Sequence, residues 1–412
     1  MNLAKSRACL GFVFSFCTQV YLAAGSGGNE APRISAPRIL SIGSYAGGAT
    51  AVLINDVPLI HTTQLLPLDQ RGELVGLSNV VEQAGQVLAN VGIVLKANES
   101  DLTQLIKLNV YLSQAEALTE VQKMLALRLP ANVKPATCFV IGDLPIANAL
   151  VAMDAIAITK PPEPGIKRVT RGALYDQKGI QPAAILPAGG KVYVSGMADT
   201  NDLPIATIKT LEKLIAVIGH LGLEKKDIVQ LKAFLQPMSE AARVRKEIVG
   251  FFQGDAPPLV LVEWISPPPN PPIEIELIAS AKQDLSKETN SVSFFTPPGT
   301  TSTKVFSRVV RVNHGYLIYF SGLQGNSPND PGAQTRQIFR SIDALLKNAG
   351  TDLEHLVKAT YYVSDNEASD KLNEIRPEFF NPDRPPAGSK AKVKSTGVSG
   401  KPITIDMIAV TR

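Results

Sequence analysis

Three segments of the chain repeat one order of hydrophobic and polar positions. Each segment contains a stretch in which apolar residues recur three and four positions apart, which is the spacing of one face of an amphipathic helix. These positions are Val80, Ala84, Val87, Leu88, Val91, Val94 and Leu95 in the first segment, Ile208, Leu211, Leu214, Ile215 and Ile218 in the second, and Ile338, Ile342, Leu345, Leu346 and Ala349 in the third. Asn79, with Glu82 three positions later, is typical of an N-terminal capping box. The pattern therefore predicts one long helix in each segment.

Further elements follow each predicted helix in the same order. A β-rich run, a second short helical pattern and a closing strand come next. The β-rich runs are 106–113, 229–236 and 357–364, and the closing strands contain the similar sequences 154–157, 276–279 and 406–409. Alternating apolar runs before the first helix predict a small antiparallel meander. The repeated unit is therefore β-β-β-α-β-α-β-β.

Stretches rich in Pro, Gly and small polar residues separate the segments, at 160–166 and 284–300. We therefore predict three tandem copies, at 38–159, 167–283 and 298–412. Helices on one face of each mixed sheet leave the other face apolar, so the three sheets are expected to pack around a common pseudo-threefold axis. The fold class is α+β. Because one chain already supplies three units, we expect a monomer that forms an intramolecular pseudo-trimer.

The first 25 residues have the pattern of a secretory signal. Lys5 and Arg7 precede an apolar stretch at 8–23, and small residues follow at 23–25. An uncleaved membrane anchor is the alternative, but the apolar stretch is shorter than the roughly 20 residues that span a bilayer. We expect export to the periplasm or the medium. The cysteine left in the mature chain, Cys138, lies in apolar sequence and is predicted to be a small core residue.

Charge and short motifs narrow the class of function. The 41 basic and 37 acidic residues give a net charge of +4, and no polybasic run stands out, which argues against a nucleic-acid partner. The chain has four histidines, none with the spacing of a metal site. A nucleophile elbow and a phosphate-binding loop are also missing from the sequence. We therefore expect no metal, no cofactor and no nucleic-acid partner.

The triplicated unit resembles the RidA family, also called YjgF or endoribonuclease L-PSP. The resemblance covers nearly all of residues 40–412 and rests on short sequence motifs that occur in a fixed order. These motifs are Gly43-Ser44-Tyr45, Gln64 to Pro67, Ser195-Gly196, Glu274-Ile275-Glu276, Ser321-Gly322 and Asn373. The resemblance implies a chorismate-mutase-like fold, with small-molecule sites in clefts between the copies. It also implies hydrolysis of enamines or imines such as 2-aminoacrylate to a keto acid and ammonia.

The site residues that the resemblance implies are only partly present. A catalytic, water-positioning Glu is retained as Glu274 in copy two. The implied ligand contacts are Tyr45, Gln64, Thr137, Ser195, Gly196, Ser321, Gly322 and Asn373. The family's Arg, which can hold a substrate carboxylate through two parallel hydrogen bonds, is absent from its position in all three copies.

Two functions remain open at this stage. The missing Arg favours a binding or scaffold protein that keeps the clefts. Glu274 favours a deaminase with an altered substrate and a substitute cation. The candidate cations are Lys134, Arg245, Arg308 and Arg384. Ribonuclease activity is disfavoured, because the sequence offers no basic groove with interleaved aromatic residues. A cleft in which a cation and Glu274 converge would favour the enzyme.

Overall fold

The computed structural model describes residues 38–40, 48–160, 174–281, 285 and 288–412, all within the compact unit Ser35–Arg412. The predicted signal at 1–25 lies outside the described residues. Six helices occur in this part of the chain: α1 Val80–Lys96, α2 Leu118–Arg128, α3 Leu203–Gly219, α4 Ala241–Phe251, α5 Pro331–Asn348 and α6 Asn366–Ile375. None of them is long and apolar enough to cross a bilayer.

Seventeen strands accompany these helices in the described residues. The strands of copy one are β1 Arg38–Leu40, β2 Ala51–Ile54, β3 Leu59–Thr62, β4 Leu105–Leu112, β5 Ala136–Ile141 and β6 Val151–Ile158. Those of copy two are β7 Ala183–Leu186, β8 Lys191–Ala198, β9 Ile228–Leu235, β10 Leu259–Glu263 and β11 Ile273–Ser280. Strand β12 Val292–Phe295 lies in the predicted linker 284–300, ahead of copy three. The strands of copy three are β13 Val309–Val312, β14 Leu317–Phe320, β15 Leu356–Val363, β16 Ala387–Lys392 and β17 Ile403–Val410.

The ends of the long helices follow local capping rules. The Asn79 side chain accepts a hydrogen bond from the Glu82 amide at 3.1 Å, as the capping pattern predicts. The Asn79 amide donates to the Gly76 carbonyl, so the expected box forms only in its Asn79 half. Asp330 caps α5 through the Ala333 amide at 2.8 Å. Each long helix buries one apolar face against its own sheet, which builds three separate cores.

Strand pairing in the three sheets differs from the predicted meanders. The sheet orders are β1-β2-β14-β17-β15-β16, β10-β9-β11-β8-β13-β12 and β5-β4-β6-β3-β7. In every copy the chain leaves one sheet and enters the next through a short connection, at 55–58, 187–190 and 313–316. A strand that pairs with a neighbouring copy makes the same kind of antiparallel ladder as a local hairpin, so the sequence pattern does not distinguish the two arrangements.

This exchange of strands closes the ring of copies. Strand β2 of copy one pairs with β14 of copy three, with Val52 opposite Tyr319. Strand β7 of copy two pairs with β3 of copy one, and β13 of copy three pairs with β8 of copy two. Each sheet therefore contains strands from two copies. The inner faces of all three sheets share one apolar cluster, so the three units pack around a common axis as predicted.

Candidate functional site

A similar hydrogen-bonded joint, made by the hydroxyl of Ser321, Ser195 or Thr63, recurs at each of the three boundaries between copies. At the boundary of copies three and one, the Ser321 hydroxyl donates to the Ala49 carbonyl at 2.6 Å and accepts from the Thr137 amide at 2.8 Å. The Gly322 amide donates to the Thr137 carbonyl at 3.0 Å. Three of the predicted ligand contacts, Ser321, Gly322 and Thr137, are thus brought together across one boundary.

Beside Gly322, the boundary of copies three and one carries neutral side chains. A Cβ added to Gly322 would lie 2.7 Å from Cys138 Sγ and 2.8 Å from Thr404 Cγ2, so both side chains pack directly on the glycine. Thr404 occupies the position that Glu274 has in copy two, because both are the second residue of their closing strands. Cys138 is buried, as predicted, and burial raises the pKa of its thiol. The position that Glu274 has in copy two therefore carries no carboxylate at this boundary.

At the boundary of copies one and two, a side chain fills the corresponding space. Gln64 is 1% exposed and takes the position of Gly196 and Gly322: its amide donates to the Leu259 carbonyl at 2.9 Å. Its side chain donates to the Leu261 carbonyl at 2.9 Å and accepts from the Leu261 amide at 3.3 Å. The Gln64 side chain therefore extends the β10 ladder, and the inner part of this cleft is closed.

The boundary of copies two and three carries charge. The Ser195 hydroxyl donates to the Ser307 carbonyl at 2.6 Å and accepts from the Gly388 amide at 2.7 Å. The Gly196 amide donates to the Ser389 hydroxyl at 3.1 Å. Gly388 stands where the family's Arg is expected, so the backbone joint is kept and the cation of that position is lost.

Glu274 packs on the bare backbone of Gly196. A Cβ at Gly196 would overlap the Glu274 carboxylate, so this position requires glycine for steric reasons. Burial raises the pKa of Glu274 to about 7, and repulsion from Glu276 adds to the rise. Ser389, Arg308 and Lys358 act in the opposite direction. The carboxyl group therefore exchanges a proton near neutral pH, which suits a general acid or base.

Arg308 lies on the other side of Gly196. Its Nη1 donates to the Gly196 carbonyl at 2.8 Å, and its guanidinium carbon lies 5.2 Å from the centre of the Phe306 ring. Arg308 is 8% exposed, and among the described residues its buried Nε has no hydrogen-bond partner. Burial lowers the pKa of Arg308, and Glu274 partly restores it. Arg308 is thus the cation, of the four considered from sequence, that converges with Glu274.

The other predicted residues are placed as follows. Asn373 lies on α6 of copy three, where its Oδ1 accepts from Lys390 and Arg376, both at 3.1 Å. Lys390 also interacts electrostatically with Glu274, so Asn373 and Lys390 belong to the same cleft as Glu274. Arg384 interacts with Glu354 at 3.9 Å, and its guanidinium carbon lies 5.3 Å from the centre of the Phe294 ring. Tyr45 lies outside the described residues.

A buried cluster of charges on the central axis was not predicted from the sequence. Lys107 Nζ lies 2.7 Å from Asp406 Oδ1, and Lys358 Nζ lies 2.6 Å from Glu276 Oε1. Each ion pair joins two copies. Burial would raise the pKa of Glu276, but Lys358 and Lys232 outweigh burial and lower it. The sequence signal was available, because these lysines interrupt otherwise apolar β-rich runs.

A third carboxylate completes this axial cluster. Asp154 accepts from the Tyr111 hydroxyl at 2.7 Å and from Asn109 Nδ2 at 2.9 Å. Burial raises the pKa of Asp154, and Lys232 is the largest opposing influence. Because every carboxylate faces a cation or hydrogen-bond donors, we interpret the cluster as the element that fixes how the copies meet.

Comparisons with known proteins define the class of this chain. The family model "Endoribonuclease L-PSP" matches residues 38–159 and 300–411, which together make up more than half of the chain. The chain therefore belongs to the RidA/YjgF/L-PSP family, as the sequence words indicated. The matched ranges correspond to copies one and three. Copy two has, from its first described strand β7, the same order of elements that copy one has from β2 and copy three from β13.

Individual relatives match about one copy's length. A RutC family protein of Aquifex aeolicus is 35% identical over 91 residues, which is 21% of this chain and 71% of the relative. Protein DfrA of Myxococcus xanthus is 28% identical over 116 residues, which is 26% of this chain and 85% of the relative. A solved YjgF-family structure from Neisseria meningitidis has 22% identity and a TM-score of 0.23, and covers 29% of this chain and 95% of that one.

Proposed function

We propose that the boundary of copies two and three binds a small imine or enamine that carries a carboxylate, and hydrolyses it to a keto acid and ammonia. The observation that supports this proposal is the meeting of Glu274 and Arg308 on the backbone of Gly196. A cation and a carboxyl group that titrates near neutral pH lie on one glycine, between two copies. The same position carries neutral groups at the boundary of copies three and one, and Gln64 fills it at the boundary of copies one and two.

The chemistry assigns one role to each group. Arg308 has a buried Nε–H without a partner among the described residues, and this donor can take a substrate carboxylate. Glu274 in its ionised form accepts a proton from water as the water oxygen attacks the imine carbon. Glu274 passes this proton to the imine nitrogen, which gives a neutral carbinolamine. The carboxylate then takes the hydroxyl proton of the carbinolamine and delivers it to the nitrogen, the carbon–nitrogen bond breaks, and ammonia leaves as the carbonyl forms. An enamine enters this sequence as its imine tautomer. Glu274 is ionised again at the end of the cycle.

Binding without turnover is the second candidate function. It is supported by the neutral or filled spaces at the other two boundaries and by the loss of the family's Arg, here Gly388, in copy three. For either function, we also propose that the protein is exported and monomeric. The pattern of the first 25 residues supports export, and the ring formed within one chain supports the monomer.

Ammonia release tests the proposal. Purified protein is mixed with 2-aminoacrylate and other imino acids generated in situ, and the rate is compared with the spontaneous rate. We expect catalysed release at pH 7–8 that falls at least about 100-fold in Glu274→Gln, the scale of a lost general base. We expect Arg308→Met to raise KM more than it lowers kcat, because Arg308 is assigned to binding.

Matched variants separate these effects from general damage. Glu263→Gln removes a half-buried carboxylate near Asp143, at the boundary of copies one and two. Arg311→Met removes an arginine of β13, three residues after Arg308, that pairs with Glu288 at 3.0 Å. Both controls should keep the activity. Absence of catalysed release from folded wild-type protein would reject turnover and leave the binding function. Equal losses in the control and site variants would reject the assignment of the site.

A further inference from the structure

Strand β11 carries two carboxyl groups on the same face of its sheet. Glu274 and Glu276 are two positions apart, and β11 pairs with β9 in regular register over both residues, with Glu276 opposite Lys232. The surroundings of the two groups differ. Glu274 packs on Gly196 in the cleft. Glu276 belongs to the axial cluster, where Lys358 Nζ lies 2.6 Å from its Oε1. One strand therefore joins the candidate site to the charges on the central axis.

The hydroxyl group of Ser389 connects these two carboxyl groups. Ser389 belongs to β16 of copy three and is 4% exposed. Its Oγ accepts a hydrogen bond from the Gly196 amide at 3.1 Å, and its side chain forms hydrogen bonds with Glu274 and with Glu276. A single serine side chain thus contacts the backbone of copy two, the carboxyl group of the cleft and a carboxyl group of the axial cluster.

The hydrogens available to these groups decide the direction of the hydrogen bonds. A serine hydroxyl has one hydrogen and two lone pairs, and the Gly196 amide occupies one lone pair of Ser389. Ser389 can therefore donate to one carboxyl group, and the other bond needs a proton on the second carboxyl group. Nearby lysines lower the pKa of Glu276, whereas burial raises the pKa of Glu274 to about 7. The proton therefore belongs to Glu274, and the bonds run from Glu274 through Ser389 to Glu276.

Ionisation of Glu274 changes what Ser389 can do. The hydroxyl hydrogen can then turn to the new carboxylate of Glu274, because Glu276 keeps the ammonium group of Lys358 at 2.6 Å. A hydrogen bond to a charged group is stronger than one to a neutral group, so Ser389 favours the ionised form of Glu274.

In the described part of the chain, this pairing of a hydroxyl with a carboxyl group occurs at one boundary between copies. Strand register aligns Ser389 with one residue of β5 and one of β10, and Glu274 is the second residue of its closing strand. The residues in these two positions are Cys138 and Thr404 at the boundary of copies three and one, and Val260 and Ala152 at the boundary of copies one and two. Neither of those boundaries can form the same chain of hydrogen bonds.

We propose that Ser389 is a positioning residue of the candidate site, whose hydroxyl holds the Glu274 carboxyl group and links it to the Glu276–Lys358 ion pair of the axial cluster. The charged groups that act on Glu274 are Arg308, which precedes β13, Lys358 of β15, Lys390 of β16 and Glu276 of its own strand. The effect on turnover rests on the proposed hydrolase. The effect on the protonation of Glu274 does not, because protonation can be measured without substrate.

The titration of Glu274 tests this role on the full chain. Nuclear magnetic resonance of protein with isotope-labelled glutamate carboxyl carbons follows the titration, and the Glu274 signal is assigned by its absence from Glu274→Gln. We expect Ser389→Ala to raise the titration midpoint by about one pH unit, the effect of losing one hydrogen bond to a charged group. Ser389→Thr keeps a hydroxyl and should keep the wild-type midpoint. The pH at which ammonia release reaches half its maximum should shift with the midpoint in Ser389→Ala.

Two further variants separate this role from general damage and test the link to the axis. Ser293→Ala removes a hydroxyl from β12 of the same sheet, one that accepts from Asn313 Nδ2 at 2.9 Å, and should leave the midpoint unchanged. In a Glu276→Gln background the hydroxyl has one carboxylate left to serve, so Ser389→Ala should shift the midpoint further than it does in wild type.

The outcomes distinguish this inference from the proposed function. An unchanged midpoint in Ser389→Ala, equal midpoints in Ser389→Ala and Ser389→Thr, or equal shifts in the two backgrounds would each overturn the role of Ser389. A shifted midpoint in a protein that releases no ammonia would support that role and reject the hydrolase. If Glu276→Gln does not fold, the comparison of Ser389→Ala with Ser389→Thr decides.

Discussion

Replacement of Glu274 by Gln should change how the stability of the protein depends on pH. The pKa of Glu274 is raised from 4.5 to about 7 in the folded chain. Below pH 4.5 the group is protonated in both the folded and the unfolded state. Between pH 4.5 and 7 the unfolded chain loses this proton and the folded chain keeps it, so unfolding becomes easier as pH rises. Above pH 7 the effect is complete.

The size of the effect follows from the shift. At about 1.4 kcal/mol for each pKa unit, the shift corresponds to about 3 kcal/mol in total, of which about 2–3 kcal/mol is lost between pH 5 and pH 8. Glu274→Gln lacks a titrating group at this position. The variant should therefore have a free energy of unfolding close to that of wild type at pH 5 and a higher one at pH 8.

Urea unfolding at pH 5 and pH 8, followed by the fluorescence of Trp264, measures this difference. Trp264 follows strand β10 in copy two, and its amide is bonded to the Leu235 carbonyl, so its signal reports on the sheet that holds Glu274. Glu212→Gln, an exposed position on α3, is the control and should follow wild type at both pH values. Identical pH dependence in wild type and Glu274→Gln would refute the reasoning, because the carboxyl group would then not be held in a desolvated position.

Two further predictions follow from packing. Lys358→Met leaves Glu276 buried without its nearest cation, which should lower the free energy of unfolding by about 3–5 kcal/mol. The double variant with Glu276→Leu should recover most of this loss. Urea denaturation measures both variants, and an equal loss in the double variant would contradict the role of the ion pair. Gly196→Ala places a Cβ where the Glu274 carboxylate lies, so ammonia release should fall about tenfold or more while the fold persists. Gly250→Ala, a helical glycine with nothing within 4 Å of its added Cβ, is the matched control and should keep full activity and gain up to about 1 kcal/mol of stability.

Local sequence patterns predicted most of the repeated unit. The spacing of apolar residues located α1, α3 and α5, and the order of elements gave an α+β unit in three copies. The exchange of strands between sheets was missed, because the apolar alternation of β7 is satisfied equally by β8 and by β3. Pairing partners of this kind are decided by how the ring closes, which no local window contains.

The candidate site was predictable only in part, for a related reason. Glu274 was identified from its place in the closing strand. Its partner Arg308 belongs to another copy, and only the fold brings both to Gly196. The position of Gln64 was also hidden, because the residue that holds its side chain, Leu261, is 197 positions away. Contacts between copies depend on tertiary structure, so the short sequence motifs identified candidate residues but not which of them lie together in the folded chain.

We propose that one of the three boundaries between copies keeps the groups needed for chemistry. Titration calorimetry with pyruvate, which carries the carboxylate and carbonyl carbon of the proposed product type, counts these sites directly. We expect one pyruvate site per chain, which is lost in Arg308→Met and retained in Arg311→Met. Three equivalent sites per chain, or binding that Arg308→Met leaves unchanged, would contradict it.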